Sequence, residues 1–150
     1  MRIEGNRSRR TKQIQVSQGK SLSQVHRHMG NFEEELKDRE EKAYIAHLQE
    51  LLNEIDKTQE RLARHLDLND LMRYKRLVQE FLNEVVKRTH LIEKEASFTK
   101  RGARSLMVSV RRVNEELQVL LDIFYSRAQD PINILETLEK IRGMLLDLMA

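Results

Sequence analysis

The chain has 150 residues and a formal net charge of +3, with 34% charged and only 5% aromatic side chains, one Pro, five Gly, no Cys and no Trp. This length suits one domain with a real core, the balance favours long helices over sheets, and the missing thiols exclude disulfides, thiolate metal sites and cysteine nucleophiles. Apolar runs are no longer than about four residues, as at Ala43 to Ala46, far below a membrane span, and nothing near Met1 resembles a secretory signal, so a cytoplasmic protein without membrane association is expected.

Charge is unevenly placed. Residues 1–30 hold Arg2, Arg7, Arg9, Arg10, Lys12, Lys20 and Arg27 against Glu4 alone, a balance of +6 that leaves −3 for the rest. Lacking aromatics and a sustained apolar period, and containing Gly5, Gly19 and Gly30, this stretch reads as a disordered basic arm. It is either a solvated tail or a sequence-independent clamp on nucleic acid through Arg7, Arg9, Arg10 and Lys12, because Lys and Arg release counterions from phosphates. His26 and His28 have the spacing of a ligand pair; with no acid nearby they read as exposed imidazoles, and no metal site is assigned.

Residues 31–150 read as one helical domain. Phe32 to Lys42 is almost wholly charged, a solvated lead-in to a helix over about 33–66 whose Tyr44, Leu48, Leu51, Leu52, Ile55, Leu62 and Leu66 share a face with Gln59. Asp67-Leu68-Asn69 is a short break in which Asp67 or Asn69 can cap the next helix, and so short a connection requires antiparallel neighbours. The second helix, about 69–94, carries Leu71, Tyr74, Leu77, Val78, Phe81, Leu82, Val85, Val86 and Ile92 over an arc wide enough for more than one neighbour. Glu93 to Arg104 forms the longest break. A third helix over about 104–128 then places Leu106, Val110, Val113, Leu117, Leu120, Leu121 and Phe124 on one side. Asp130-Pro131 is a sharp start signal for a fourth, about 131–149, with Ile134, Leu135, Leu138, Ile141, Leu145 and Leu148. The expected fold is an all-α, antiparallel up-down-up-down four-helix bundle, as a monomer or as hairpins completed in a homodimer.

Catalytic patterns fail on inspection. A carboxylate-bridged di-iron bundle needs Glu three residues before His, yet Tyr44, Leu62 and Lys87 precede His47, His65 and His90. No Gly-rich phosphate loop, zincin motif or nucleophile elbow occurs, so no catalytic residue and no cofactor is assigned. The unusual feature is charge inside the stripes. On an ideal wheel Lys75 falls between Leu82 and Val86, and Arg142 between Leu135 and Met149. Each must reach water or meet a carboxylate, because burying an unpaired cation costs several kcal/mol. One reading is snorkelling at the bundle edge; the other gathers Tyr74, Lys75, Arg142 and Arg61 around a cleft with Asp56, Asp70 or Asp147 as counter-ions, suited to an anionic ligand or an acidic peptide. Gly143 falls on the polar side of helix four, where a closely approaching backbone or a tolerated defect accounts for it.

Several segments carry more than periodicity. Leu52-x-x-Ile55-Asp56, Arg61-Leu62, Asp70-Leu71-x-x-Tyr74-Lys75-x-Leu77-Val78-x-x-Phe81-Leu82-x-Glu84-Val85-Val86 and, late in the chain, Ile134-Leu135 with Ile141-Arg142-Gly143-x-Leu145-Leu146-Asp147-Leu148 resemble the YaaR-like family of uncharacterised bacterial proteins over about residues 48–148. Departures fall at Gly102 to Val110 and at Val113-Asn114. The resemblance implies a small helical bundle in a bacterial cytoplasm with no established activity. The expected function is a non-enzymatic module for a protein partner, with weak nucleic-acid binding through the basic arm as the alternative.

Overall fold

The computed structural model describes the backbone of residues 2–94, 100–126 and 129–150, and the side chains of residues 29–92, 101–126 and 129–150. It contains four helices, α1 (Arg2–Arg64), α2 (Leu68–Lys94), α3 (Lys100–Tyr125) and α4 (Pro131–Met149). Two compact units divide the chain, Met1–Tyr44 and Ile45–Ala150, and the boundary falls where the apolar stripe of the first helix begins.

In the first unit the backbone is helical from Arg2, whereas the sequence places the start of helix one near residue 33. No Pro interrupts this stretch, Arg, Lys and Gln are good helix formers, and an interior Gly costs only about 1 kcal/mol. Residues 29–43 are exposed throughout, as a charged lead-in requires. The assigned arm contacts Arg7, Arg9, Arg10 and Lys12, and the imidazoles of His26 and His28, lie outside the described side chains.

The second unit is the antiparallel bundle. Leu48 and Ile55 from α1, Tyr74 and Phe81 from α2, Val113 and Leu120 from α3, and Leu138, Ile141 and Leu145 from α4 are almost wholly shielded from water. Their spacing of seven residues on α1, α2 and α3, and of three and four on α4, puts each set on one helical face. Polar contacts mark which helices are neighbours. Arg73 of α2 donates to Glu54 of α1 at 3.2 Å, and Lys140 of α4 donates to Glu116 of α3 at 2.7 Å. Three buried threonines that a hydrophobic pattern passes over complete the core faces. Thr58, Thr89 and Thr137 donate to the carbonyls of Glu54, Val85 and Asn133 at 2.8, 2.9 and 2.8 Å, which satisfies each hydroxyl within its own helix and leaves its methyl group to pack.

Caps set the turns. The Asp67 carboxylate accepts from the Asn69 amide at 3.2 Å, and Asp130 accepts from Ile132 at 3.0 Å with Pro131 at the first helical position; both carboxylates also face the positive end of a helix dipole. At the end of α3, Ser126 and Gln129 donate to the Ile123 and Phe124 carbonyls at 2.8 and 2.6 Å, covering acceptors that have no helical partner. Helix three starts at Lys100 rather than near 104, so Gly102 lies inside it, and it ends at Tyr125 rather than near 128.

One member of the expected core is misplaced by the pattern. Leu135 is 47% exposed, because Ile134, Leu138, Ile141 and Leu145 already fill the inward face and Leu135 lies about 100° round the helix from Ile134. Gly143 is exposed, and a Cβ built there meets nothing within 4 Å, so no approaching backbone requires it. Two substitutions test this packing by denaturant unfolding. Phe81→Ala should lower stability by about 3 to 5 kcal/mol, and Gly143→Ala should raise it by about 0.4 to 1 kcal/mol through the lower entropy of the unfolded chain.

Candidate functional site

Two stripes that do not belong to the core face each other along α1 and α4. On α1, Asp56, Gln59, Glu60 and Ala63 follow one another at turn spacing; on α4, Leu135, Glu139 and Arg142 do the same. Arg142 Nε donates to Asp56 Oδ1 at 2.9 Å, and Gln59 Nε2 donates to Glu139 Oε1 at 2.8 Å. A step of three residues forward on α1 matches a step of three backward on α4, so the two contacts form successive rungs between antiparallel helices.

The rungs differ in burial. The Arg142 and Asp56 side chains are 40% and 33% exposed, so the pair is screened and contributes no more than about 1 kcal/mol. The hydrogen bond to Asp56 and then the Asp56 charge hold the Arg142 proton more firmly than usual, outweighing the opposing effect of desolvation, with a lesser contribution from the Glu139 charge. Gln59 is only 7% exposed, and its Oε1 has no hydrogen-bond partner among the described residues. Tyr74 lies beneath this edge, fully buried, and its hydroxyl is likewise without a partner among the described residues. Burial first, then the carboxylates of Asp56 and Glu139, push the Tyr74 phenol well above the usual tyrosine range. It is therefore a neutral donor at physiological pH.

These residues line a groove of about 330 Å³ bounded by Asp56, Gln59, Glu60, Ala63, Leu135, Glu139 and Arg142. At Ala63 and Leu135 it meets an apolar trough of about 460 Å³, lined by Leu62, Leu66, Pro131, Ile132 and Ile134, with Arg64 and His65 at its rim. The residues lining this groove are carboxylates, an amide, one guanidinium and two apolar side chains, with no Ser, Thr, Cys, Lys or His among them. Among the described residues, no group of three or more His, Cys, Asp or Glu is placed to hold a metal ion.

Of the residues singled out in the sequence, Arg142, Asp56 and Tyr74 come together here. Lys75 and Asp70 are half-buried and Arg61 and Asp147 are exposed; none of these four lines the groove. Lys75 joins no ion pair among the described residues, and Asp70 lies in the first turn of α2, where a negative charge suits the helix dipole. Glu139 escaped the sequence reading, although its spacing of three from Arg142 puts both on one side of α4. Gln59 was visible as a polar member of the α1 face, but its partner across the bundle was not.

The Tyr74 hydroxyl yields a pH test. The native state keeps this proton where the unfolded chain has released it, so the stabilisation is complete below about pH 10 and is lost as pH rises beyond that value. The unfolding free energy from urea titrations should fall above about pH 10, by up to about 1.4 kcal/mol per pH unit from this group. Tyr74→Phe should remove that part of the slope, and at neutral pH should leave stability unchanged or raise it by about 1 kcal/mol.

A family model described as a protein of unknown function (DUF327) matches residues 3–149. The uncharacterised protein YaaR of Bacillus subtilis is 26% identical over 118 residues, covering 79% of this chain and 81% of that protein. Two crystal structures are similar. The uncharacterised protein BH1478 of Bacillus halodurans gives a TM-score of 0.64 at 28% identity over 76% of this chain and 92% of that one. Protein TM1646 of Thermotoga maritima gives a TM-score of 0.65 at 27% identity over 78% of this chain and 96% of that one. With the family model running along almost its whole length, this chain belongs to the DUF327 family of proteins of unknown function.

Proposed function

We propose that this protein is a non-enzymatic interaction module that docks a helical segment of a protein partner along the α1–α4 edge. The observation that carries this reading is the apolar trough. Ile132 and Leu135 are 67% and 47% exposed and flank a depression about 460 Å³ in volume. Two neighbouring helix surfaces with a trough between them match the way amphipathic helices dock, by apolar anchors at turn spacing, and a contiguous apolar patch marks an interaction surface more often than scattered exposed side chains do.

The neighbouring polar residues support binding rather than catalysis, because they are engaged with one another across the bundle. Among the described residues no helix is long and apolar enough to cross a membrane. A bacterial cytoplasm suits a chain without cysteine.

A photo-crosslinking residue at position 135 of the full chain, used in a lysate of the source organism, tests the reading. One or a few proteins should be captured, and Leu135→Glu, at a half-exposed position that leaves the core intact, should abolish their co-purification with the otherwise native chain. The same partners retained by that variant would overturn the docking face.

A further inference from the structure

The groove beside the trough has a sign. Asp56, Glu60 and Glu139 line it against Arg142 as its one cation among the described residues, and Arg142 is already engaged by Asp56. Acidic residues alone do not make a site, but Gln59 adds an independent observation. Its Oε1 is an acceptor on a side chain more than nine-tenths buried, on the groove wall, with no donor among the described residues. Its Nε2 is committed to Glu139, so turning the amide over would set its oxygen against a carboxylate. A buried acceptor without a donor is a cost to the fold, and it adds to the demand for positive charge at this wall.

We infer that the α1–α4 edge selects a cationic amphipathic helix, whose apolar side chain fills the trough at Leu62 and Leu135 while a Lys or Arg one turn along reaches Glu60 and Glu139, beside Gln59. The inference rests on the docking face proposed above and names the chemistry of its partner. Geometry supports one turn as the spacing. Leu135 to Glu139 on α4 and Gln59 to Ala63 on α1 are both four-residue steps, about 6 Å along a helix, which an i, i+4 pair on the incoming segment spans. Charge complementarity decides the sign, since a carboxylate placed there would meet two acids left free by the Asp56–Arg142 pair.

Two synthetic helical peptides of about 18 residues, long enough to hold some helix in isolation, provide the test. They share one leucine stripe and differ only in Lys or Glu at the positions one turn from the anchor. Titrated by fluorescence anisotropy against the full chain at low salt, the Lys peptide should bind about tenfold more tightly than its Glu twin. The double variant Glu60→Gln/Glu139→Gln should erase that preference while circular dichroism shows the same helix content, since the amide oxygen introduced at position 139 can still accept from Gln59. Equal binding of the twins would overturn the cation preference and leave the apolar docking face standing, whereas binding of neither would overturn both. Retained Lys-peptide affinity in Leu135→Glu, with n-butylammonium competing alone, would show a site for a free alkylammonium and overturn the helix as occupant.

Discussion

A helix with apolar side chains at every third or fourth position has one face that water serves poorly, and here four such faces share a single interior. Everything else depends on that shared burial. It fixes the rotation of each helix about its own axis, because turning α2 far enough to expose Phe81 or Tyr74 would remove the largest buried side chains from the core. Once the rotations are set, the flanking residues have no freedom over which neighbour they meet. The Asp56–Arg142 and Gln59–Glu139 contacts follow from that geometry and contribute little to holding it.

The α1–α4 edge shows what such a consequence can provide. Core contacts place four polar side chains in register above Tyr74, and two atoms, Gln59 Oε1 and the Tyr74 hydroxyl, stay unpartnered among the described residues. A sequence selected for stability alone would put apolar groups at both positions, since a buried polar atom without a partner is a net cost. Gln59 lies on the groove wall, which ties its cost to that edge. The exposed Gly143 is of another kind, because open space surrounds it and it weakens α4 without serving an approach.

Membership of a family without an established activity gives the physical reading of the surface more weight. The similar chains of Bacillus halodurans and Thermotoga maritima share the fold at 28% and 27% identity, a level at which core periodicity is retained while individual surface residues are free to differ. Exposed residues at the α1–α4 edge therefore speak first for this chain. Glu60 and Leu135, both exposed, are the residues by which its edge presents an acidic groove next to an apolar trough.

The sequence by itself determined the number and order of the helices, their inward faces and the caps of α2 and α4, but not where α1 and α3 begin. Leu48, Ile55, Phe81, Val113 and Leu138 recur at turn spacing, and the capping chemistry of Asp67 and of Asp130-Pro131 acts within a few residues of chain, so both are local properties. It misjudged Leu135, because a stripe specifies the direction of a face but not its width, and it passed over Thr58, Thr89 and Thr137, whose hydroxyls are silenced by their own backbone. It did not determine the site. Arg142 had Asp56, Asp70 and Asp147 as candidate partners on three helices, and only the packing of α1 against α4 selected Asp56, added Gln59 and Glu139, and left Lys75 apart. The meeting of residues 80 and 86 positions apart depends on helix rotation and register, which the whole core sets together and no local pattern records.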